Sequence, residues 1–306
     1  MTDERSYLSP AAFRRALTDR LKAKATQSRW NVAQLQRQFA YDRLLERLYL
    51  IDREWIVKGA TALLARDLGV RGTIDIDIYR AREREVAETE LRDAATHDLR
   101  DWFRFEVGPS RPVADGAAGL RLPVTAYVGE TVWSQFHVDL VGLDLRMTGV
   151  PEDVPPLAQL DMPDVEQHGY RAYPLVDHIA DKVAAMFERY GDANTPSTRF
   201  KDLVDLVAIV TGASVSADAQ MAALASEADR RGITLPRIFA VPDRDLWQSG
   251  YAAEANRSLL PMARTLDEAM ATVLPFIDPL LDGSARGGWD QARREWRDES
   301  AATPLH

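Results

Sequence analysis

The chain has 306 residues, 46% of them hydrophobic, which suffices for one large domain or two modest ones with a substantial core. It contains no cysteine, which excludes disulfides, thiolate zinc sites and cysteine nucleophiles. Its histidines, at positions 97, 137, 168, 178 and 306, lack metal-ligand spacing, so any metal would be a hard cation held by carboxylate oxygen. The formal net charge of -9 excludes a protein that coats nucleic acid by sheer positive charge.

Residues 1–50 depart from that balance, with ten Lys or Arg against five Asp or Glu. A local grip on RNA and an ordinary solvated helix face both fit this excess. The N-terminus has no apolar stretch ending in small residues, and no run of about 18 apolar residues occurs, which predicts a cytoplasmic protein without membrane contact.

Ser9 followed by Pro10 is a helix start. Apolar residues then recur at helical spacing through Phe13, Leu17 and Leu21, and again through Val32, Leu35, Phe39, Leu44, Leu45 and Leu48. Residues 55–57 read as a short buried strand broken by Gly59. A helix over 60–68 closed by Gly69 follows, then a strand over 73–79 and a charged helix over 81–100. From 101 to 143 the period changes to two, in segments over 102–107, 120–128 and 133–143, which predicts antiparallel strands added to the 73–79 sheet. Pro151, Pro155, Pro156 and Pro163 mark a loop-rich connector to about 172. Helices are expected near 175–190, 199–212, 216–231 and 262–281, and a polar, poorly ordered tail from Gly283. The predicted fold class is α/β (α+β): a mixed sheet with flanking helices and a mainly helical C-terminal region. The expected domains are 1–172, 173–282 (completing the active site) and a tail over 283–306.

The segment that carries chemistry is Thr73-Ile74-Asp75-Ile76-Asp77-Ile78. Strand side chains alternate, so Asp75 and Asp77 share a face with Cα atoms about 6.6 Å apart while the isoleucines pack inward. Paired carboxylates repel each other and recruit a divalent cation, although a water-facing edge strand has the same pattern. Just upstream, Gly59, Ala60 and Thr61 form a small-residue turn at a helix start, whose free N–H groups suit phosphate. Arg71 and Thr73 lie four and two residues ahead of Asp75, placed to reach the same triphosphate. Asp139, alternating with Phe136, Val138 and Leu140, joins the pair if its strand is a neighbour.

Four segments in this order, VKGATAL, RGTIDIDI, IADKVAAM and RFKDLVDLVAI, resemble the AbiEii/AbiGii-type nucleotidyltransferase toxins, which include the MenT toxins, in the DNA polymerase beta-like superfamily. The resemblance spans residues 55–212. It implies a nucleotidyltransferase fold and marks Asp75, Lys182 and Asp205 as essential. It also extends the nucleotide site to Lys58, Gly59, Ala60, Thr61, Lys182, Arg199 and Asp202. The family usually has a second glycine where this chain has Ala60, whose methyl group crowds a close approach of phosphate to backbone.

The residues themselves leave alternatives open. Lys182 lies off the apolar face formed by Val176, Ile179, Val183, Met186 and Phe187, and Asp202 and Asp205 lie on one side of the next helix. A Lys182–Asp205 salt bridge between packed helices fits as well as a triphosphate site, and the two can coexist. Arg199 is equally suited to phosphate and to Asp202.

The resulting expectation is in-line attack by an acceptor hydroxyl on the α-phosphate of a nucleoside triphosphate. Asp75, Asp77 and Asp139 hold Mg2+, or Mn2+ in its place, and Lys182 neutralises the triphosphate. The resemblance implies the 3′ end of tRNA as acceptor, a consequent block of aminoacylation and translation, and a cognate antitoxin as partner. Nucleotidylylation of a protein or small molecule is the alternative, and a non-catalytic partner-binding protein a further one. Signatures of serine hydrolases, zincins, P-loops and dinucleotide folds are absent from the sequence. Trp247, Trp289, Trp296 and Tyr251 fit base stacking or core filling.

Overall fold

The computed structural model describes residues 6–113, 119–143, 145–191 and 194–298; His306 and the end of the expected tail lie outside these. The chain divides into two compact units, one of 1–66, 72–145 and 151–172, the other of 67–71, 146–150 and 173–306. Among the described residues no helix is long and apolar enough to cross a membrane.

The first unit opens with α1 (Pro10–Ala25), where the Ser9 hydroxyl accepts from the Ala12 amide at 3.2 Å. Phe13, Leu17 and Leu21 bury its apolar stripe. The helix α2 (Val32–Ile51) starts in a reciprocal capping box between Asn31 and Gln34. It is buried nearly all round, polar side chains included. Arg43 and Arg47 both clamp the buried carboxylate of Asp101, with Arg43 Nε at 2.6 Å and Arg47 Nη2 at 2.8 Å. Burial pushes the Asp101 carboxyl up, but these guanidiniums prevail and hold it below the usual range.

The chain continues through β1 (Ile56–Val57), α3 (Gly59–Ala65), β2 (Asp75–Tyr79), α4 (Arg84–Ala95), β3 (Phe103–Val107), β4 (Arg111–Pro112), β5 (Gly119–Val128), β6 (Thr131–Val141), β7 (Glu152–Val154) and β8 (Tyr170–Ala172). Their mixed sheet runs β3-β5-β6-β2-β1-β8-β7, with β4 paired to β5. The pairs β2–β6 and β1–β8 are parallel and the others antiparallel. Ile76, Ile78, Val138 and Leu140 face the core beneath α2. Ile74 does not: it precedes the strand and is 54% exposed, so two of the three isoleucines pack inward.

Several boundaries differ from the sequence expectation. The helix α3 stops at Ala65, ahead of Gly69, because Asp67 takes a left-handed φ of 58°, and short polar side chains tolerate that region. The charged helix is confined to Arg84–Ala95, and the expected connector contains β7 and β8. These strands have three residues each, too few for a period to register.

The second unit contains α5 (Leu175–Phe187), the small hairpin of β9 (Arg189–Tyr190) and β10 (Thr195–Pro196), α6 (Phe200–Gly212), α7 (Ala217–Arg231), α8 (Arg244–Arg257), α9 (Leu266–Leu281), and the hairpin of β11 (Gly288–Asp290) and β12 (Glu295–Arg297). That last hairpin replaces the expected tail over 288–297. Trp289 anchors it by donating from its buried indole to the Val210 carbonyl at 2.8 Å. The helix α8 was not anticipated; its buried Trp247 and Tyr251 donate to the Ser197 and Ala263 carbonyls, which makes them core residues and not stacking platforms.

Candidate active site

In the first unit, parallel pairing of β2 with β6 sets Asp75 opposite His137 and Asp77 opposite Asp139. The antiparallel pairing of β6 with β5 sets Arg121 opposite Asp139. Three adjacent strands therefore carry Asp77, Asp139 and Arg121 in one row, with Asp75 and His137 in the row beside it.

Arg121 Nε and Nη2 donate to Oδ1 and Oδ2 of Asp139 at 2.8 and 2.6 Å, and Nη2 lies 3.8 Å from Asp75 Oδ2. These bonds hold the guanidinium even further above its usual range. Asp75 Oδ1 is buried and makes no hydrogen bond. His137 Nδ1, 3.4 Å away and also unpartnered, is close enough for charge interaction but misaligned for a bond.

The start of β2 is held from several sides. The Thr73 hydroxyl bonds both the amide and the carbonyl of Asp75, while Arg37 and the Tyr41 hydroxyl donate to the Thr73 carbonyl. Thr61, expected at the nucleotide, is fully buried, and its hydroxyl donates to the Asp75 carbonyl at 3.3 Å; it secures the strand. Ala60 is buried too. Gly59, at φ +56°, leaves the space that Asp77 fills, since a Cβ there would lie 1.8 Å from Asp77 Oδ2. The Lys58 amide donates to the Asp77 carbonyl at 2.7 Å, locking this turn to the strand.

These residues fit a divalent cation in part. Asp75 offers a buried oxygen in need of a partner, and Asp77 shares its face. Asp139 has both oxygens engaged by Arg121, and among the described residues no group of three His, Asp or Glu side chains is arranged to hold a metal ion.

In the second unit, Arg71, Lys182, Arg199, Asp202 and Asp205 form one network. Lys182 Nζ donates to Asp202 Oδ1 at 2.9 Å and to Asp205 Oδ2 at 2.8 Å. Arg71 forks onto both oxygens of Asp205 at 2.9 and 2.8 Å, and Arg199 Nε reaches Asp202 Oδ2 at 2.9 Å. Burial lowers the Lys182 ammonium and raises the Asp205 carboxyl, but the neighbouring charges win on both sides: Asp202 and then Asp205 act on Lys182, and Lys182 and then Arg71 on Asp205. Lys182 rises above its ordinary value and Asp205, helped by Arg71, falls to about 2. Arg71, Lys182 and Arg199 converge on the carboxylates of Asp202 and Asp205. The salt bridge weighed from sequence is thus present, with Arg71 as an additional member.

Arg121 and His137 were missed as partners of the carboxylates. The turn after β5 sets Val128 opposite Thr131 and Tyr127 opposite Val132, a register that continued would place Arg121 opposite Val138. A bulge at Ala126/Tyr127 shifts the pairing by one and brings Arg121 to Asp139. The basic N-terminal residues are also more committed than their count suggests. Arg14, Arg20, Lys24 and Arg37 donate to backbone carbonyls at Thr131, Val132, Asp161, Gln159 and Thr73, and Arg43 and Arg47 serve Asp101.

Comparison with known proteins finds one matching family and several similar structures. The sequence profile of the family described as nucleotidyl transferase AbiEii toxin, type IV TA system, matches residues 43–295. Among solved structures, MenT4, a nucleotidyltransferase toxin from Mycobacterium tuberculosis H37Rv, is similar with a TM-score of 0.55 and 16% identity, over 93% of this chain and 95% of that one. JHP933 from Helicobacter pylori has a TM-score of 0.44 and 16% identity, over 80% and 92% of the two chains. A further H. pylori structure, titled a putative nucleotidyltransferase, has a TM-score of 0.41 and 17% identity, over 79% and 93%. No curated protein matches.

Proposed function

Given that the chain belongs to the AbiEii nucleotidyltransferase toxin family, and so is a nucleotidyltransferase of toxin–antitoxin type, we propose that it transfers a nucleoside monophosphate to the 3′ end of tRNA. The transfer blocks aminoacylation and translation until a cognate antitoxin intervenes. The observation that supports a transfer site here is the paired face of Asp75 and Asp77, with one Asp75 oxygen buried and unpartnered.

In this proposal the acceptor hydroxyl oxygen bonds to the α-phosphorus, the bond to the β-phosphate breaks, and pyrophosphate leaves. A divalent cation, Mg2+ or Mn2+, supplies charge neutralisation at the reacting phosphate when bound. Asp75 and Asp77 would hold that cation, and Asp139 would take the hydroxyl proton once Arg121 releases one of its oxygens. The family, and not the geometry, assigns Arg71, Lys182 and Arg199 to the triphosphate; within their own unit Asp202 and Asp205 fix these cations in place. Thr61 and Thr73 act on the nucleotide only indirectly, by holding the Asp75 backbone. Most of the rate comes from positioning and charge.

The tRNA assignment rests on the family and not on the basic N-terminal helices, whose cations are largely spent on structural bonds. The test is incubation of the purified protein with total tRNA, total protein extract, Mg2+ and each α-labelled nucleoside triphosphate. Label on tRNA supports the proposal. Label on a protein band, with tRNA unlabelled, replaces it with protein nucleotidylylation.

A further inference from the structure

The row of Asp77, Asp139 and Arg121 puts a cation of the protein's own where two carboxylates meet. We infer that Arg121 is the resident counter-ion of this cluster, so that a divalent ion gains Asp139 as a ligand only by displacing its guanidinium. This rests on the reading of Asp75 and Asp77 as a cation site.

The register fixes the competition. Asp139 lies on the middle strand, with the carboxylate of Asp77 opposite it on one neighbour and the guanidinium of Arg121 on the other, so the positive charge that the register sets beside it is Arg121. Both of its oxygens are taken by Arg121, at 2.8 and 2.6 Å, while in the row beside it Asp75 Oδ1 makes no hydrogen bond. The fork saturates the oxygens that would otherwise face a shared ion.

The exchange is feasible because the partners differ in freedom. Arg121 is 43% exposed and can move into water, whereas Asp139, at 13%, stays at the sheet surface. A half-exposed ion pair is worth little, so a divalent ion, with twice the charge, can compete for the carboxylate. The second contact of Arg121, 3.8 Å from Asp75 Oδ2, means that its departure also uncovers part of the Asp75 carboxylate.

Mn2+ binding to the purified protein without nucleotide, followed by loss of the free-ion electron paramagnetic resonance signal, tests this. Wild type is compared with Arg121→Gln, Arg121→Lys and Asp75→Asn. Removing the competing fork in Arg121→Gln is expected to tighten Mn2+ binding by about twofold to fivefold. Arg121→Lys keeps the charge but loses the fork and is expected to fall between. Asp75→Asn is expected to weaken binding. Wild-type or weaker Mn2+ affinity in both Arg121 variants, with Asp75→Asn still weakened, overturns the counter-ion role and leaves the cation site standing. Unchanged affinity in Asp75→Asn overturns the cation site, and the inference with it.

Discussion

Lys182 Nζ donates at 2.8 Å to Oδ2 of Asp205, the same carboxylate that Arg71 grips with two bonds. The partnership is asymmetric. Asp205 serves two cations, while each acid served by Lys182 has an arginine as well, Arg71 on Asp205 and Arg199 on Asp202. Removing Asp205 leaves the buried Lys182 ammonium with Asp202 alone and takes away the carboxylate that Arg71 forks onto, so Asp205→Ala is expected to cost about 3 kcal/mol. Lys182→Met, which leaves both acids paired, should cost clearly less. Urea unfolding of the two variants measures the difference.

The same network sets an acid limit. Asp205 falls to about 2 in the folded protein, from an ordinary value of 3.8. Between those values the unfolded chain binds the extra proton, so the contribution of Asp205 to stability is complete above pH 4 and is lost as pH falls towards 2. The stability gap between wild type and Asp205→Asn is therefore expected to be widest above pH 4 and to narrow below it, as read by unfolding at a series of pH values.

Gly59 is required for two independent reasons, its φ of +56° and the 1.8 Å that a Cβ would leave to Asp77 Oδ2. Gly59→Ala is expected to displace the Asp77 carboxylate and abolish most transfer, with a stability cost of about 1–3 kcal/mol. Transfer assays beside thermal unfolding separate the two effects. A variant with normal transfer contradicts this placement of Asp77.

Asp75 and Thr61 should separate chemistry from support. A carboxylate oxygen buried without a partner contributes little to folding, so Asp75→Asn is expected to keep or slightly raise the melting temperature while losing transfer. Thr61→Val removes a buried hydroxyl that bonds the Asp75 carbonyl. It is expected to lower stability by about 1 kcal/mol and to leave the KM for nucleotide unchanged, as steady-state kinetics would show.

Much of this arrangement was legible in the sequence because strand and helix periods are local. The alternation through Asp75 and Asp77 places both acids on one face, and the 3.6-residue period of α1 and α2 finds their buried stripes. Asp139 could be named as a candidate because its own alternation is regular, but its neighbour was not fixed until β6 paired with β2. Arg121 stayed hidden because a single bulge decides whether it faces Asp139 or Val138. Thr61 and Thr73 look like phosphate ligands in one dimension; in three, their hydroxyls are spent on the strand that presents Asp75. Trp289 was lost in a polar tail because one buried indole carries the hairpin without any period around it.

The central claim is that nucleotidyl transfer takes place at the Asp75–Asp77 face, and the rate of pyrophosphate release measures it most directly. Wild type and Asp75→Asn, matched for folding by thermal unfolding, are each mixed with tRNA, nucleoside triphosphate and Mg2+. The account predicts tRNA-dependent pyrophosphate release by wild type and at least a hundredfold loss in the variant, on the order seen when one charge-stabilising group is removed from an active site. Equal rates in the two proteins would contradict it.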